Sequence, residues 1–88
     1  MIVEFRKSFE KDLSKIKDET ILQRIQKVIE EVENAENIGE LSNIKKLKTD
    51  GDYYRIRVGD YRIGLKISDN IFVFIRALPR KDIYRYFP

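Results

Sequence analysis

Tyr53-Tyr54-Arg55-Ile56-Arg57-Val58-Gly59-Asp60-Tyr61-Arg62-Ile63-Gly64-Leu65 folds on paper into a two-stranded hairpin, and the rest of the chain is read outward from it. Two alternating runs flank Gly59-Asp60, and a two-residue loop of that composition is a strong hairpin signal. That loop pairs Val58 with Tyr61, Arg57 with Arg62, Ile56 with Ile63, Arg55 with Gly64, Tyr54 with Leu65 and Tyr53 with Lys66. Because successive side chains alternate between faces, the pairs sort into two sets. One face carries Val58, Tyr61, Ile56, Ile63, Tyr54 and Leu65 and reads as core. The other carries Arg55, Arg57, Arg62 and Lys66, with Tyr53 beside them. Like charges directly opposite each other destabilise a sheet. A chain that keeps Arg57 across from Arg62 has use for an anion, and planar guanidinium forks match phosphate bidentately.

Charge is distributed in the same sense. Residues 1–43 hold 7 basic and 10 acidic side chains, whereas residues 44–88 hold 11 basic and 5 acidic, within a net charge of +3. Clustered positive charge interleaved with tyrosines is the footprint of a polyanion partner. The chain has no cysteine and no histidine, which removes disulfides, thiol nucleophiles, zinc fingers and imidazole acid–base chemistry. Catalysis would have to come from Arg, Lys, Tyr or carboxylates. The five carboxylates of the second half, Asp50, Asp52, Asp60, Asp69 and Asp82, fall in predicted turns or at a helix start, where Asp bonds locally. No metal site and no cofactor is expected. With 88 residues, the expectation is a single domain spanning 1–88. No apolar run approaches the ~20 residues of a membrane span, and Met-Ile-Val-Glu-Phe does not read as a leader. The expected compartment is the cytoplasm, with no membrane partner.

Outside the hairpin, residues 1–6 alternate and read as an opening strand. Ser8 reads as the N-cap of a short helix with Phe9, Leu13 and Ile16 on one side, ending near Lys17. Asp18 starts a second helix whose Ile21, Leu22, Ile25, Val28, Ile29, Val32 and Ala35 form one buried stripe. Lys15, Lys17, Arg24, Glu30, Glu31 and Glu33 lie outside, as a solvated surface. Asn43 to Lys48 is a short edge strand, and Thr49-Asp50-Gly51-Asp52 a loop. Ser68-Asp69-Asn70 turns the chain into Ile71-Phe72-Val73-Phe74-Ile75, apolar on both faces and hence interior to the sheet. That turn has two or three loop residues; the three-residue form sets Phe74 over Gly64 and brings Arg76 beside Arg62. Pro79 ends the strand, and Arg80 to Phe87 forms a tail or single helical turn in which Arg80 and Tyr84 share a face. Tyr84 either stacks on a base or packs on the sheet; Tyr86 and Phe87 read as packing residues. The fold class is α+β: an N-terminal strand, a two-helix hairpin and an antiparallel meander with a short tail, helices covering one sheet face and the other open.

An Arg/Lys/Tyr constellation can cleave RNA without a metal. Ribose brings its own nucleophile, the 2′-hydroxyl, so a protein needs only to align it, spread the charge developing on phosphorus and aid proton transfer. Lys45, Lys46 and Lys48 near the hairpin, with Lys66, Lys81 and Arg85, are candidates for tracking an RNA backbone.

On these residues the chain resembles the RelE/ParE superfamily of bacterial type II toxins, and more its RelE side. The match is carried by Ile44 to Leu47 leading into Tyr54-Arg55-Ile56-Arg57-Val58-Gly59-Asp60-Tyr61-Arg62, the apolar Ile71 to Ile75 strand and the closing Arg80-Lys81-Asp82-Ile83-Tyr84, and it covers essentially the whole chain. RelE-like members are ribosome-dependent endoribonucleases that cut messenger RNA in the A site, while ParE-like members poison DNA gyrase on a similar fold. The resemblance implies that Arg55 and Arg57 contact the scissile phosphate and assist activation of the 2′-hydroxyl. It implies that Arg62 stabilises the transition state, Arg80 helps protonate the leaving oxygen and Tyr84 stacks on the substrate. It further implies two partners, a cognate antitoxin protein and mRNA on the ribosome with 16S rRNA contacts. Three departures stand out: Pro79 where many relatives carry histidine, a shorter Arg80 to Tyr84 spacing, and arginine instead of lysine at 55 and 57. The rival readings are a ParE-like gyrase inhibitor without nuclease activity, and a decayed toxin that retains only antitoxin binding.

Overall fold

A computed structural model describes residues 1–88. Its elements run β1 (Ile2–Phe5), α1 (Lys7–Lys15), α2 (Glu19–Asn34), a 3₁₀ turn (Ile38–Glu40), β2 (Ile44–Lys46), β3 (Tyr53–Val58), β4 (Tyr61–Ser68), β5 (Ile71–Pro79) and α3 (Arg80–Tyr86). The α+β organisation expected from the sequence is present. The five strands lie in the order β1-β5-β4-β3-β2, so the antiparallel meander β2 to β5 is laid down in chain order and β1 closes its far side. β1 pairs with β5 in parallel, a pairing that alternation within residues 1–6 could not announce. All six pairs read for the β3–β4 hairpin are observed, and Gly59 takes a φ of 57°, left-handed backbone that costs glycine no steric strain.

The helix side holds the main core. Asp18 caps α2, its Oδ1 accepting from the Thr20 and Ile21 amides at 2.9 and 3.3 Å. Ile21, Ile25 and Val32 of the expected stripe are buried, together with Ala35 just past the helix, and Leu22, Val28 and Ile29 flank them half-buried. They meet Ile56, Ile63, Leu65, Phe72 and Phe74 from the sheet. Phe5, Phe9 and Phe74 form an aromatic triangle with centroids 5.4 to 5.8 Å apart. Each such side chain taken fully out of water contributes roughly 1.5–3 kcal/mol.

Ser8 does not cap α1. The helix begins one residue earlier, at Lys7, and the Ser8 hydroxyl donates to the Ile75 carbonyl at 2.6 Å. The reason lies in β5, which runs past the end of β1 and leaves an open edge from Ile75 onward. α1 covers that edge: Ser8 satisfies a carbonyl, and the buried Asp12 carboxylate accepts the Ala77 amide at 3.0 Å. Without such partners these groups would be orphaned, and a free edge invites pairing with other chains.

The β4–β5 register settles the open turn. Ser68 pairs with Ile71, leaving a two-residue loop of Asp69 and Asn70, both at positive φ (50° and 65°), the conformation hairpin loops of this length favour. A bulge follows: Leu65 opposes Phe74 but Gly64 opposes Arg76, so Ile75 is the extra residue. Unbulged pairing would have aimed Arg76 into the core with Ile63 and turned Ala77 away. With the bulge, Ala77 enters the core, Arg62 faces Leu78, and Arg76 bends round the β5 edge to Asp12, its Nε at 2.7 Å and Nη2 at 3.2 Å. Arg76 therefore does not stand beside Arg62, and the three-residue alternative is overturned.

The second sheet face is not open. α3 lies across it, burying Ile83 and the following Phe87. The Phe87 ring stands edge-on to Tyr53 with centroids 5.6 Å apart and sits directly on Gly64, where an added Cβ would come within 2.7 Å of the ring. The tail read as a single turn is thus a seven-residue helix, and its apolar side closes a smaller second core over the middle of the hairpin.

Candidate nucleic-acid interface

On this face the arginines gather toward the loop end of the hairpin, beside the start of α3. Arg57 pairs with Arg62, and Lys45 of β2 pairs with Arg55. Arg62 is the most enclosed of them, only 9% exposed, with Nη1 donating to the Gly59 carbonyl at 2.7 Å and the Tyr61 carbonyl at 2.9 Å. Its guanidinium is locked over the hairpin loop by its own backbone, and those bonds use Nη1 alone. Burial lowers its pKa from the usual arginine value, and the charges of Arg55, Arg80 and Arg57 lower it further, with Tyr84 acting weakly the other way. Those four side chains are therefore the electrostatic neighbours of Arg62, although they come from β3 and α3. Arg80 is brought in by its amide, which donates to the Asp60 carbonyl at 2.7 Å and starts α3 against the hairpin loop. Tyr84, one helical turn on, is 62% exposed and so does not pack on the sheet.

No carboxylate forms an ion pair with this cluster. The ion pairs of the molecule are Arg76 with Asp12 and Lys46 with Asp52, both elsewhere. The acceptors that hold Arg55 and Arg57 come from Asn43, which the sequence offers only as the start of the edge strand and which lies just before it. Its carbonyl accepts the Arg57 amide at 3.0 Å and Arg55 Nη1 at 3.4 Å, and its Oδ1 accepts Arg57 Nη2 at 3.3 Å. The only available signal was the tolerance of Asn for left-handed backbone, which it adopts here at φ 61° just before β2. No group of three or more His, Cys, Asp or Glu side chains is placed to hold a metal ion.

The remaining candidates scatter. Lys46 pairs with Tyr54 and so projects from the helix-side face, opposite the arginines, with Nζ 3.6 Å from Asp52 Oδ1. Lys45, its neighbour, is the lysine on the arginine face. Lys48 is exposed in the β2–β3 loop. Lys66 shares the arginine face but lies beyond Phe87, its Nζ 5.9 Å from the centre of the Tyr53 ring. Lys81 is exposed beside Arg80, where the two line a shallow depression with Asp60 and Pro79. Arg85 lies over the Tyr86 ring, whose centre is also 5.9 Å from Arg76. Tyr86 is half exposed and so is not the packing residue expected, whereas Phe87 is.

The sequence and the fold both have known relatives. The family profile described as "ParE toxin of type II toxin-antitoxin system, parDE" matches residues 3–84. The chain belongs to this family. Within the RelE/ParE superfamily it is 46% identical over 89 residues to Toxin RelE3 of Methanocaldococcus jannaschii, covering 100% of both chains. The fold matches the RelB–RelE antitoxin–toxin complex from Methanococcus jannaschii with a TM-score of 0.82 and 44% identity, covering 97% of this chain and 99% of that one. It also matches the archaeal RelE–RelB complex from Pyrococcus horikoshii OT3 with a TM-score of 0.72 at 24% identity, over 93% and 97% of the two chains, which bears on the fold alone. The superfamily resemblance read from the hairpin is thereby established, and the chain is a type II toxin family member of RelE-like architecture.

Proposed function

We propose that this toxin is a ribosome-dependent endoribonuclease that cuts mRNA in the A site without a metal and is held inactive by a RelB-like antitoxin. The observation that carries the reading is the convergence of Arg55, Arg57, Arg62 and Arg80 with no carboxylate ion-paired to any of them, beside an exposed Tyr84. Like charges this close weaken a fold unless an anion spends time among them. In the proposed reaction the 2′-oxygen attacks the adjacent phosphorus and the bond to O5′ breaks, leaving a 2′,3′-cyclic phosphate and a 5′-hydroxyl. The proton lost by the 2′-hydroxyl and the one gained by O5′ balance.

The arginines act mainly as fixed positive charge, because guanidinium holds its proton above pH ~12. Arg55 and Arg57 face the attacking side, and Arg62, already locked to the loop carbonyls, holds the charge that builds on the phosphorane oxygens. Arg80 stands near the leaving oxygen, and Tyr84 stacks on a neighbouring base. Removing one preorganised donor of this kind costs roughly 10²–10³ in rate. The ribosome, through the mRNA path and 16S rRNA, supplies the substrate alignment that an enzyme without histidine has little means to provide, and residues 1–88 act as one domain in the cytoplasm.

Purified protein is expected to cut mRNA on programmed ribosomes far faster than naked RNA; equal rates reject the A-site reading. A second reading, gyrase inhibition, is favoured by the ParE name of the matching family, and a supercoiling assay in which the toxin inhibits gyrase but leaves mRNA intact would establish it. RelB partners appear in the complexes of both archaeal relatives. The antitoxin segment expected here carries acidic residues toward Arg55, Arg57, Arg62 or Arg80 and apolar anchors beside them, so its affinity should fall with salt. Affinity that is unchanged by salt and by an Arg55/Arg57/Arg62 triple alanine variant would place neutralisation on another face.

A further inference from the structure

Arg55 and Arg57 are held only by neutral oxygens, and all of those oxygens belong to Asn43. Its carbonyl takes the Arg57 amide and Arg55 Nη1, and its side chain takes Arg57 Nη2. The Arg55 Nε is buried with no partner at all. Arg62 follows the same rule, bound to the Gly59 and Tyr61 carbonyls. Elsewhere the chain pairs its cations with carboxylates where it needs to hold them, as Arg76 with Asp12. At the cluster it aligns three guanidinium groups and neutralises none.

We infer that Asn43 is a positioning residue of the cationic site: it orients Arg55 and Arg57 through uncharged acceptors, so that their charge stays available to a phosphate. This deepens the proposed RNA-cleaving function and rests on it for the nature of the ligand. A carboxylate in the same place would make shorter, stronger bonds to the same arginines. It would stabilise the fold and spoil the site. Position 43 also needs a residue that tolerates φ near 61°, which leaves Asn, Asp and Gly as the natural choices. Of these, Asn alone offers a side-chain acceptor without a charge.

The test uses Asn43→Asp, Asn43→Gly and a charge control, Gln26→Glu, at an exposed position of α2. Binding of a fluorescent oligouridylate is followed by anisotropy across a salt series, and the order of the arginine Nε–H groups by ¹⁵N relaxation. Asn43→Asp is expected to melt at the wild-type temperature or above it, to bind roughly tenfold more weakly at low salt, and to lose about one unit of salt slope. Gln26→Glu, with the same change in net charge, should stay within about twofold of wild type. Asn43→Gly keeps the backbone and its carbonyl but frees Arg57, so the Arg57 Nε–H order should fall, and kcat on ribosomes should drop with KM little changed. If Asn43→Asp binds no worse than Gln26→Glu, or Arg57 is as ordered in Asn43→Gly as in wild type, the inference is wrong. If wild type itself neither binds the oligonucleotide nor cuts ribosome-bound mRNA, the proposed function fails, and the positioning role is then decided by the relaxation data alone.

Discussion

Replacing Gly64 by alanine should change sign in its effect on stability according to what residue 87 is. Gly64 does not have positive φ, so alanine fits its backbone, and in the middle of a strand alanine is ordinarily better than glycine by roughly 0.5–1 kcal/mol. The new methyl, however, would lie 2.7–2.8 Å from three carbons of the Phe87 ring, closer than carbon atoms tolerate. Phe87 is boxed in by Tyr53 and cannot yield without lifting the end of α3. Overpacking of this kind costs about 1–3 kcal/mol. The net expectation is a loss of about 1–2 kcal/mol, which lowers the melting temperature by roughly 5–15 °C in a domain of this size. In a Phe87→Ala background the clash is gone, and Gly64→Ala should be neutral or stabilising by about 0.5 kcal/mol. Urea denaturation of the four proteins closes a double-mutant cycle with an expected coupling of about 1.5–2.5 kcal/mol. Because α3 also carries Arg80 and Tyr84, Gly64→Ala should depress RNA cleavage well below the melting transition. Additive effects within about 0.5 kcal/mol would refute the idea that Phe87 on Gly64 seats the helix.

Arg62→Ala removes two hydrogen bonds to the hairpin loop as well as a repelling charge, so it should abolish cleavage and destabilise by about 1 kcal/mol, instead of leaving stability unchanged as cross-strand repulsion alone would have it; a variant that is fully active and equally stable contradicts both halves. Tyr84→Ala, at an exposed position, should keep the melting temperature while lowering cleavage roughly tenfold to a hundredfold, the weight of one base stack, as measured on programmed ribosomes. Asp12→Ala leaves the Ala77 amide and Arg76 without their partner and should cost about 2–3 kcal/mol in chemical denaturation, with Asp12→Asn costing less because it still accepts the amide.

Much of the architecture was legible in the residues. Hairpin register follows from period-2 alternation about a two-residue loop, both of them local, and so every β3–β4 pair came out as read. The Asp18 cap and the α2 stripe are local in the same way. Ser8 misled because its competing acceptor, the Ile75 carbonyl, is 67 residues away in sequence. Lys46 was grouped with the arginines by proximity along the chain, yet strand alternation sends it to the other face and leaves Lys45 in its place.

By itself, then, the sequence determined that a hairpin would carry Arg55, Arg57 and Arg62 on one face, that histidine and thiol chemistry were unavailable, and that Arg80 and Tyr84 would share one side of whatever the tail became. Tertiary structure decided the rest. The extra residue at Ile75 set which of Arg76 and Ala77 enters the core, and it is felt only once β5 packs between β4 and α1. Phe87 settling on Gly64 turned an open face into a half-covered one and carried Tyr84 into solvent near the arginines. Asn43 became their clamp because β2 lies beside β3. Each of these depends on side chains meeting across long sequence separations, where packing and the need to satisfy buried polar groups choose among conformations that local propensity leaves equally acceptable.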